Sequence, residues 1–280
     1  MIILKTAQEY NAWHKQNKGS VGFVPTLGAL HNGHFSLVKK SLNLCNITVV
    51  SIFLNPTQFS PNEDLESYPN TLNEDIKYLQ NLGVDVLFLP NYNEMYKNVQ
   101  EVSIPPSKLF DKLEGKSRPH FFYGVTTIVA KLFNVIIPTH TFFGEKDAQQ
   151  LRIIKQMINT MKYPLQLIAC PTVRDKNGLA LSSRNHYLTE TEKKIASIIY
   201  RSLKHIAVGL SKNHNIKQLK QDFCDTISIN PNMSVDYISI ANSDTLEEIN
   251  ILDNQEVLIS TAVFFNTVRL IDNITFHSST

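Results

Sequence analysis

Two histidines, His31 and His34, stand three residues apart in the run PTLGALHNGH, residues 25–34, between a stretch of β-type residues and the start of a helical pattern. Histidines so spaced project to one side of a turn. There they can donate to phosphate oxygens or steady the charge that builds on a pentacovalent phosphorus. Gly28 and Gly33 let the backbone come close to a ligand, and the first N–H groups of the following helix form an anion site. In isolation the run suits a solvated loop histidine followed by a capping one better than it suits a ligand site. Its position between strand and helix, where α/β folds bind ligands, favours phosphate chemistry.

Three further segments carry groups of the same kind. In SIFLNPTQF, residues 51–59, Asn55 and Gln58 offer neutral amides suited to the hydroxyl and carboxylate groups of a small acid, although Asn-Pro is also a common turn. In FGEKDAQQ, residues 143–150, Gly144 permits close approach, Lys146 is a point charge for phosphates and Asp147 can accept from ribose hydroxyls. Asp147 also suits a helix cap, and Lys146 a solvated surface. In VRDKNGLALSSRN, residues 173–185, Asn177-Gly178 makes a tight turn, and Ser182, Ser183 and Arg184 form a dense set of anion donors. A polar hinge would look similar, but phosphate donors on a hinge can close over a nucleotide. The chain has only 10 glycines, and Gly28, Gly33, Gly124, Gly144 and Gly178 lie in or beside these segments.

The elements that position these groups alternate in type. Residues 21–24 read as a buried strand ending at Pro25, residues 33–44 as an amphipathic helix, and residues 47–54 as a strand stopped by Asn55-Pro56. Leu72, Ile76 and Leu79 have helical spacing, with Gly83 at a C-cap position, and residues 84–89 give a third strand. A helix near 124–136, a strand at 141–143, a helix over 148–161 and a strand at 165–170 continue the pattern. Such alternation implies parallel pairing with right-handed crossovers, an α/β doubly wound parallel sheet of Rossmann type. Beyond residue 175 the texture changes to helices near 190–210 and 214–228 and strands at 235–240, 257–265 and 268–271. The expected division is a ligand-binding domain over 1–175 and a smaller C-terminal α+β lid domain over 176–280.

Bulk properties narrow the function classes. The 280 residues are 42% hydrophobic and 19% charged, an ordinary globular balance, and 27 Lys and Arg against 25 Asp and Glu leave a formal charge of +2. So small a charge gives no reason to expect nucleic acid or an anionic membrane as partner. Cys45, Cys170 and Cys224 form no C-x-x-C pair and read as free thiols of a reducing compartment. The first residues have too short an apolar run for a signal peptide, and no stretch reaches a membrane span. The expectation is a cytoplasmic protein.

Together the four segments, in order and spacing, resemble the pantothenate synthetase family of the nucleotidylyltransferase superfamily. The resemblance runs from about residue 20 to 190. It takes in Tyr68-Pro69, Gly124-Val125, residues 131–134 (KLFN) and Ser182 to Asn185 followed by Tyr187-Leu188. It implies an enzyme, a dimeric ligase that converts pantoate, β-alanine and ATP with Mg²⁺ into pantothenate, AMP and pyrophosphate on the way to coenzyme A. By position it implies that Leu27, Gly28, Ala29, Leu30, His31, Asn32, Gly33 and His34 line the ATP site, with His34 catalytic. Gly144, Glu145, Lys146, Asp147, Val173, Leu181, Ser182, Ser183 and Arg184 would complete that site, and His31, Lys146 and Arg184 would assist His34. Gln58 and Gln150 would hold pantoate. The family's acidic metal region aligns near Glu74 and Asp75, and the choice between them stays open. Three positions depart from the family pattern: Leu27 where Met is common, Asn70 where Arg usually follows Tyr-Pro, and Phe121 where His precedes Phe.

Two other readings remain in view. A nucleotidylyltransferase that moves AMP onto a phosphorylated metabolite would release pyrophosphate without free AMP. A regulatory module would bind ATP without turnover.

Overall fold

The structure, a computed structural model, describes residues 1–60 and 63–277. In chain order the elements are β1 (Ile2–Leu4), α1 (Ala7–Gln16), β2 (Val21–Thr26), α2 (Asn32–Leu44), β3 (Ile47–Ile52), α3 (Leu72–Leu82) and β4 (Val86–Phe88). There follow α4 (Leu113–Ser117), α5 (Phe121–Ile136), β5 (His140–Gly144), α6 (Ala148–Thr160) and β6 (Gln166–Cys170). The last are α7 (Glu190–Ala196), α8 (Ile198–Ser211), α9 (Ile216–Ser228), β7 (Met233–Asn242), β8 (Glu256–Phe265) and β9 (Val268–His277). Two compact units result. The first comprises Met1–Phe110, Arg118–Glu145 and Gln150–Pro171; the second comprises Asp111–Ser117, Lys146–Gln149 and the chain from Thr172.

The first unit is a doubly wound α/β sheet of Rossmann type. Six strands lie in the order β1-β4-β3-β2-β5-β6, and all pairs are parallel. Successive residues of each inner strand point to opposite faces, so both faces must be apolar, and β3 is buried along its whole length. Phe23, Val49 and Phe88 pack on one face with Tyr10 of α1, Phe133 of α5 and Ile154 of α6. Val24, Val50 and Leu87 pack on the other with Leu37 of α2 and Leu79 of α3. Pro25 does not end β2 as expected, and the strand continues to Thr26. Only Gly22 and Phe23 pair with β5, so past them β2 has a ladder on one side alone and a residue lacking an N–H is tolerated.

The sequence pattern predicts no element before residue 20, yet β1 pairs with β4 and α1 covers the sheet. A three-residue strand is too short to show a period. The helix does have a readable signal. Thr6 and Glu9 form a capping box, the hydroxyl accepting from the Glu9 N–H and the carboxylate from the Thr6 N–H. α3 ends as expected at Gly83, whose φ of 85° suits glycine.

The second unit is a three-stranded antiparallel sheet, β7-β8-β9. Leu203 and Ile206 of α8 and Leu219 and Phe223 of α9 pack with Val257, Ile259, Val263 and Phe265 of β8. On the opposite face Arg269 pairs with Glu114 of α4 and, at 2.6 Å, with Asp236, while the Tyr237 hydroxyl donates to Glu114 at 2.8 Å. Burial pushes the Tyr237 phenol well up, and the adjacent Glu114 carboxylate adds to it. The helical stretch expected over 190–210 divides at Ser197 into α7 and α8. β9 runs to His277, beyond the expected 271. Its polar Asp272 and Asn273 hide the strand from a hydropathy reading, because both are buried among partners. Among the described residues, no helix is long and apolar enough to cross a membrane.

Candidate active site

The turn from β2 into α2 is built by main-chain geometry. Gly28 has φ 90° and Ala29 φ 51°, both in the left-handed region. That conformation costs a non-glycine residue roughly 1–2 kcal/mol, so something must hold Ala29 there. The holder is Asp75, in the first turn of α3 and 2% exposed. Its two oxygens accept the Ala29 and Leu30 N–H groups, each at 3.0 Å, and Thr71 donates to it at 3.1 Å. Burial raises the Asp75 pKa above the usual carboxylate value, against the lowering effect of these three donors. A Cβ on Gly28 would come within 3.2 Å of Ile52.

The two histidines cap α2 reciprocally. His31 is the N-cap, and its Nδ1 accepts the Gly33 N–H at 3.1 Å. His34 Nδ1 in turn accepts the His31 N–H at 3.3 Å. A ring nitrogen that accepts carries no proton, so in the neutral ring the proton sits on Nε2. Both imidazoles are thereby fixed as Nε2–H donors, with ring centroids 4.1 Å apart. Leu27, Leu30 and Asn32 complete this segment.

Gln58 lies in the turn that follows β3 and is 9% exposed. Its Oε1 accepts from Asn55 Nδ2 at 3.2 Å, and the same amide donates to the Gly124 carbonyl at 3.2 Å. Asn55 Oδ1 accepts from the Tyr96 hydroxyl at 2.6 Å and from Thr57 at 3.1 Å. Asn55 is fully buried, so its amide is an organiser of Gln58 rather than a surface recognition group. Gly124 must be glycine here, since a Cβ would lie 2.4 Å from the Thr57 carbonyl oxygen. Tyr96 is a residue sequence reasoning missed, because nothing in its local sequence links it to position 55. Arg118 stacks 3.6 Å over the Phe121 ring and pairs with Glu63 at 2.5 Å, which gives the departure at Phe121 a local use. Gly144, Glu145 and Gln150 also belong to the first unit, Gly144 at the end of β5 and Gln150 in the first turns of α6. An added Cβ at Gly144 would meet no described protein atom within 4 Å.

The second unit holds Lys146, Asp147, Val173 and Leu181 to Arg184. Lys146 and Asp147 lie in a tight turn, with Lys146 Nζ 3.5 Å from Asp147 Oδ1. Val173 and Leu181 face each other across a hairpin, the Leu181 N–H donating to the Val173 carbonyl at 2.9 Å. Gly178, at φ 101°, turns the hairpin, and Asp175 caps it by accepting the Asn177 and Leu179 N–H groups. Ser182 caps the turn that carries Ser183 and Arg184, accepting the Arg184 N–H at 3.2 Å.

The sheet topology and the histidine turn define a class, an α/β fold of Rossmann type with two histidines at the turn between β2 and the following helix. The comparisons with known proteins narrow it. A family model described as Pantoate-beta-alanine ligase matches residues 2–275. A pantothenate synthetase of Caldicellulosiruptor saccharolyticus is 44% identical over 261 residues, 93% of this chain and 92% of that protein. The crystal structure of pantothenate synthetase from Thermus thermophilus superposes with a TM-score of 0.89 at 35% identity, covering 98% of this chain and 99% of the other. A pantoate–β-alanine ligase from Francisella tularensis, solved in complex with β,γ-ATP and β-alanine, has a TM-score of 0.80 at 38% identity over 98% and 97% of the two chains. The chain belongs to the pantoate–β-alanine ligase family and is a ligase of that kind.

Proposed function

We propose that the chain joins pantoate to β-alanine in two half-reactions at the expense of ATP. The observation that carries this is the reciprocal histidine cap, which presents two Nε2–H donors at a helix start within a chain matched almost end to end by the family. In the first half-reaction a pantoate carboxylate oxygen attacks the α-phosphorus, the bond to the β-phosphate oxygen breaks, and pyrophosphate leaves. His34 stabilises the charge that develops, with His31, Lys146 and Arg184 assisting. In the second, the neutral amine of β-alanine attacks the acyl carbon of pantoyl adenylate, AMP leaves and the amine loses a proton. Leu27 to His34, Gly144 to Asp147, Val173 and Leu181 to Arg184 bind the nucleotide in this reading. Gln58 and Gln150 hold pantoate.

Mg²⁺ belongs to the proposal as an ion carried on the nucleotide. Among the described residues no three His, Cys, Asp or Glu side chains come together to hold a metal, and both Asp75 oxygens already accept backbone N–H groups. Mg²⁺ commonly takes substrate phosphates and waters with few protein ligands, so no residue is assigned as its ligand and no step passes through it. We further propose a homodimer working in the cytoplasm, where ATP is supplied and the free thiols Cys45, Cys170 and Cys224 stay reduced.

AMP release from ATP tests the reading, with pantoate and β-alanine supplied separately and together. AMP that requires both substrates is the expected result. ATP cleavage indifferent to pantoate would leave a different acid, or plain adenylyl transfer, in its place.

A further inference from the structure

We propose that two adjacent residues of β9, Asp272 and Asn273, are positioning residues for the ligase reaction. One steadies the 173–181 hairpin and the other the turn that bears Lys146. The proposal rests on the functional reading above and assigns roles within it that no motif indicated.

Adjacent residues of a strand point to opposite faces of the sheet, so this pair can grip two different segments. Asp272 pairs across the sheet with Thr261, and its carboxylate binds Arg174 at 2.6 and 2.8 Å, a bidentate geometry. Arg174 adjoins Val173, donates to the Gly178 carbonyl at 3.1 Å and lies 3.5 Å over the ring of Tyr200 on α8. The hairpin is thus tied at its base and at its turn through one side chain. Asn273, facing the other way, donates from Nδ2 to the carbonyl of Lys146 itself at 2.8 Å. It also steadies its neighbour, its N–H donating to Asp272 Oδ1 at 2.7 Å.

Asp272 is 4% and Asn273 8% exposed. Burying such groups is costly unless they are bonded, and a strand needed only for packing would carry apolar residues here, as Val257, Ile259 and Val263 do on β8. Each side chain instead reaches a segment that bears candidate ATP-binding residues. Displacements of about 1 Å in such segments can cost up to about 100-fold in rate.

The test compares N273A and D272N with the wild-type chain in the AMP-release assay, with circular dichroism to check folding. Expected for N273A is a roughly tenfold lower kcat with an unchanged KM for β-alanine. In a K146A background the same change should cost less than about twofold, because the two act through one group. D272N should raise the KM for ATP and add nothing to R174A. Removing Asp272 strands a buried guanidinium and can unfold the chain, so N273A, which deletes only a neutral amide, is the deciding variant. Wild-type kcat in N273A, or an equal loss with and without Lys146, overturns the proposal. A wild-type chain that forms no AMP with both substrates overturns the ligase reading itself, and the positioning roles with it.

Discussion

In the first unit the two histidines and Gln58 are set by main-chain geometry and neutral hydrogen bonds, whereas in the second the 173–181 hairpin is tied down by an ion pair. His31 and His34 hold each other through backbone N–H groups, and Gln58 is placed by an amide that also reads the Gly124 carbonyl. The hairpin of the second unit depends on the Arg174–Asp272 pair and on a guanidinium stacked on Tyr200. The difference follows from what each set presents. An imidazole that donates from Nε2 has to be kept in one tautomer, and a backbone N–H on Nδ1 does that without adding charge. Fixed cations such as Lys146 and Arg184 need no tautomer, only a firm base.

The largest effect should come from the first unit. H34A removes a fixed donor and should lower kcat about 10²–10⁴-fold if His34 acts in charge or proton transfer. Near-normal AMP release from this variant would put the chemistry on the cations alone and reverse the weight of the comparison. G124A should come next. Its Cβ would strike the Thr57 carbonyl and displace the turn that holds Gln58, so the KM for pantoate should rise roughly 10-fold or more while the KM for ATP holds. A rise in both would mean that the Gln58 turn and the histidine turn are coupled rather than separately set.

How far the sequence displays this depends on the length over which each cause acts. The parallel sheet is legible because β2, β3 and β4 are short apolar runs alternating with helical periods. The histidine turn is legible because its glycines, histidines and helix start are contiguous. Asp75 is visible only as one of two acids, and nothing local shows that it, rather than Glu74, turns inward to hold Ala29. Tyr96 lies 41 residues from Asn55 and Asn273 lies 127 from Lys146, so only the fold reveals those pairs. The hydropathy pattern stops β9 short because Asp272 and Asn273 interrupt it, and these are the residues whose burial depends on distant partners.

Asp75 supplies the smallest effect and the most direct check on how the first unit is held. D75N keeps the size but leaves one acceptor oxygen for two N–H groups, and it sets its own NH₂ against one of them. The Ala29 turn should loosen and the KM for ATP rise several-fold, on the scale of one lost hydrogen bond. The pH dependence has a definite sign. Burial raises the Asp75 pKa in the folded chain, so the folded state binds this proton more tightly than the unfolded one, where the value is about 3.9. Its contribution to stability is therefore complete below that unfolded value and is lost as pH rises through the folded one. The melting temperature of the wild type, measured against D75N, should stand highest at the acid end and fall relative to it as pH climbs through that window. An ordinary paired carboxylate behaves in the opposite way. A wild-type margin that instead widens with pH would show that the N–H donors outweigh burial at this carboxylate. The first unit would then be held by charge as well, and its contrast with the second would narrow.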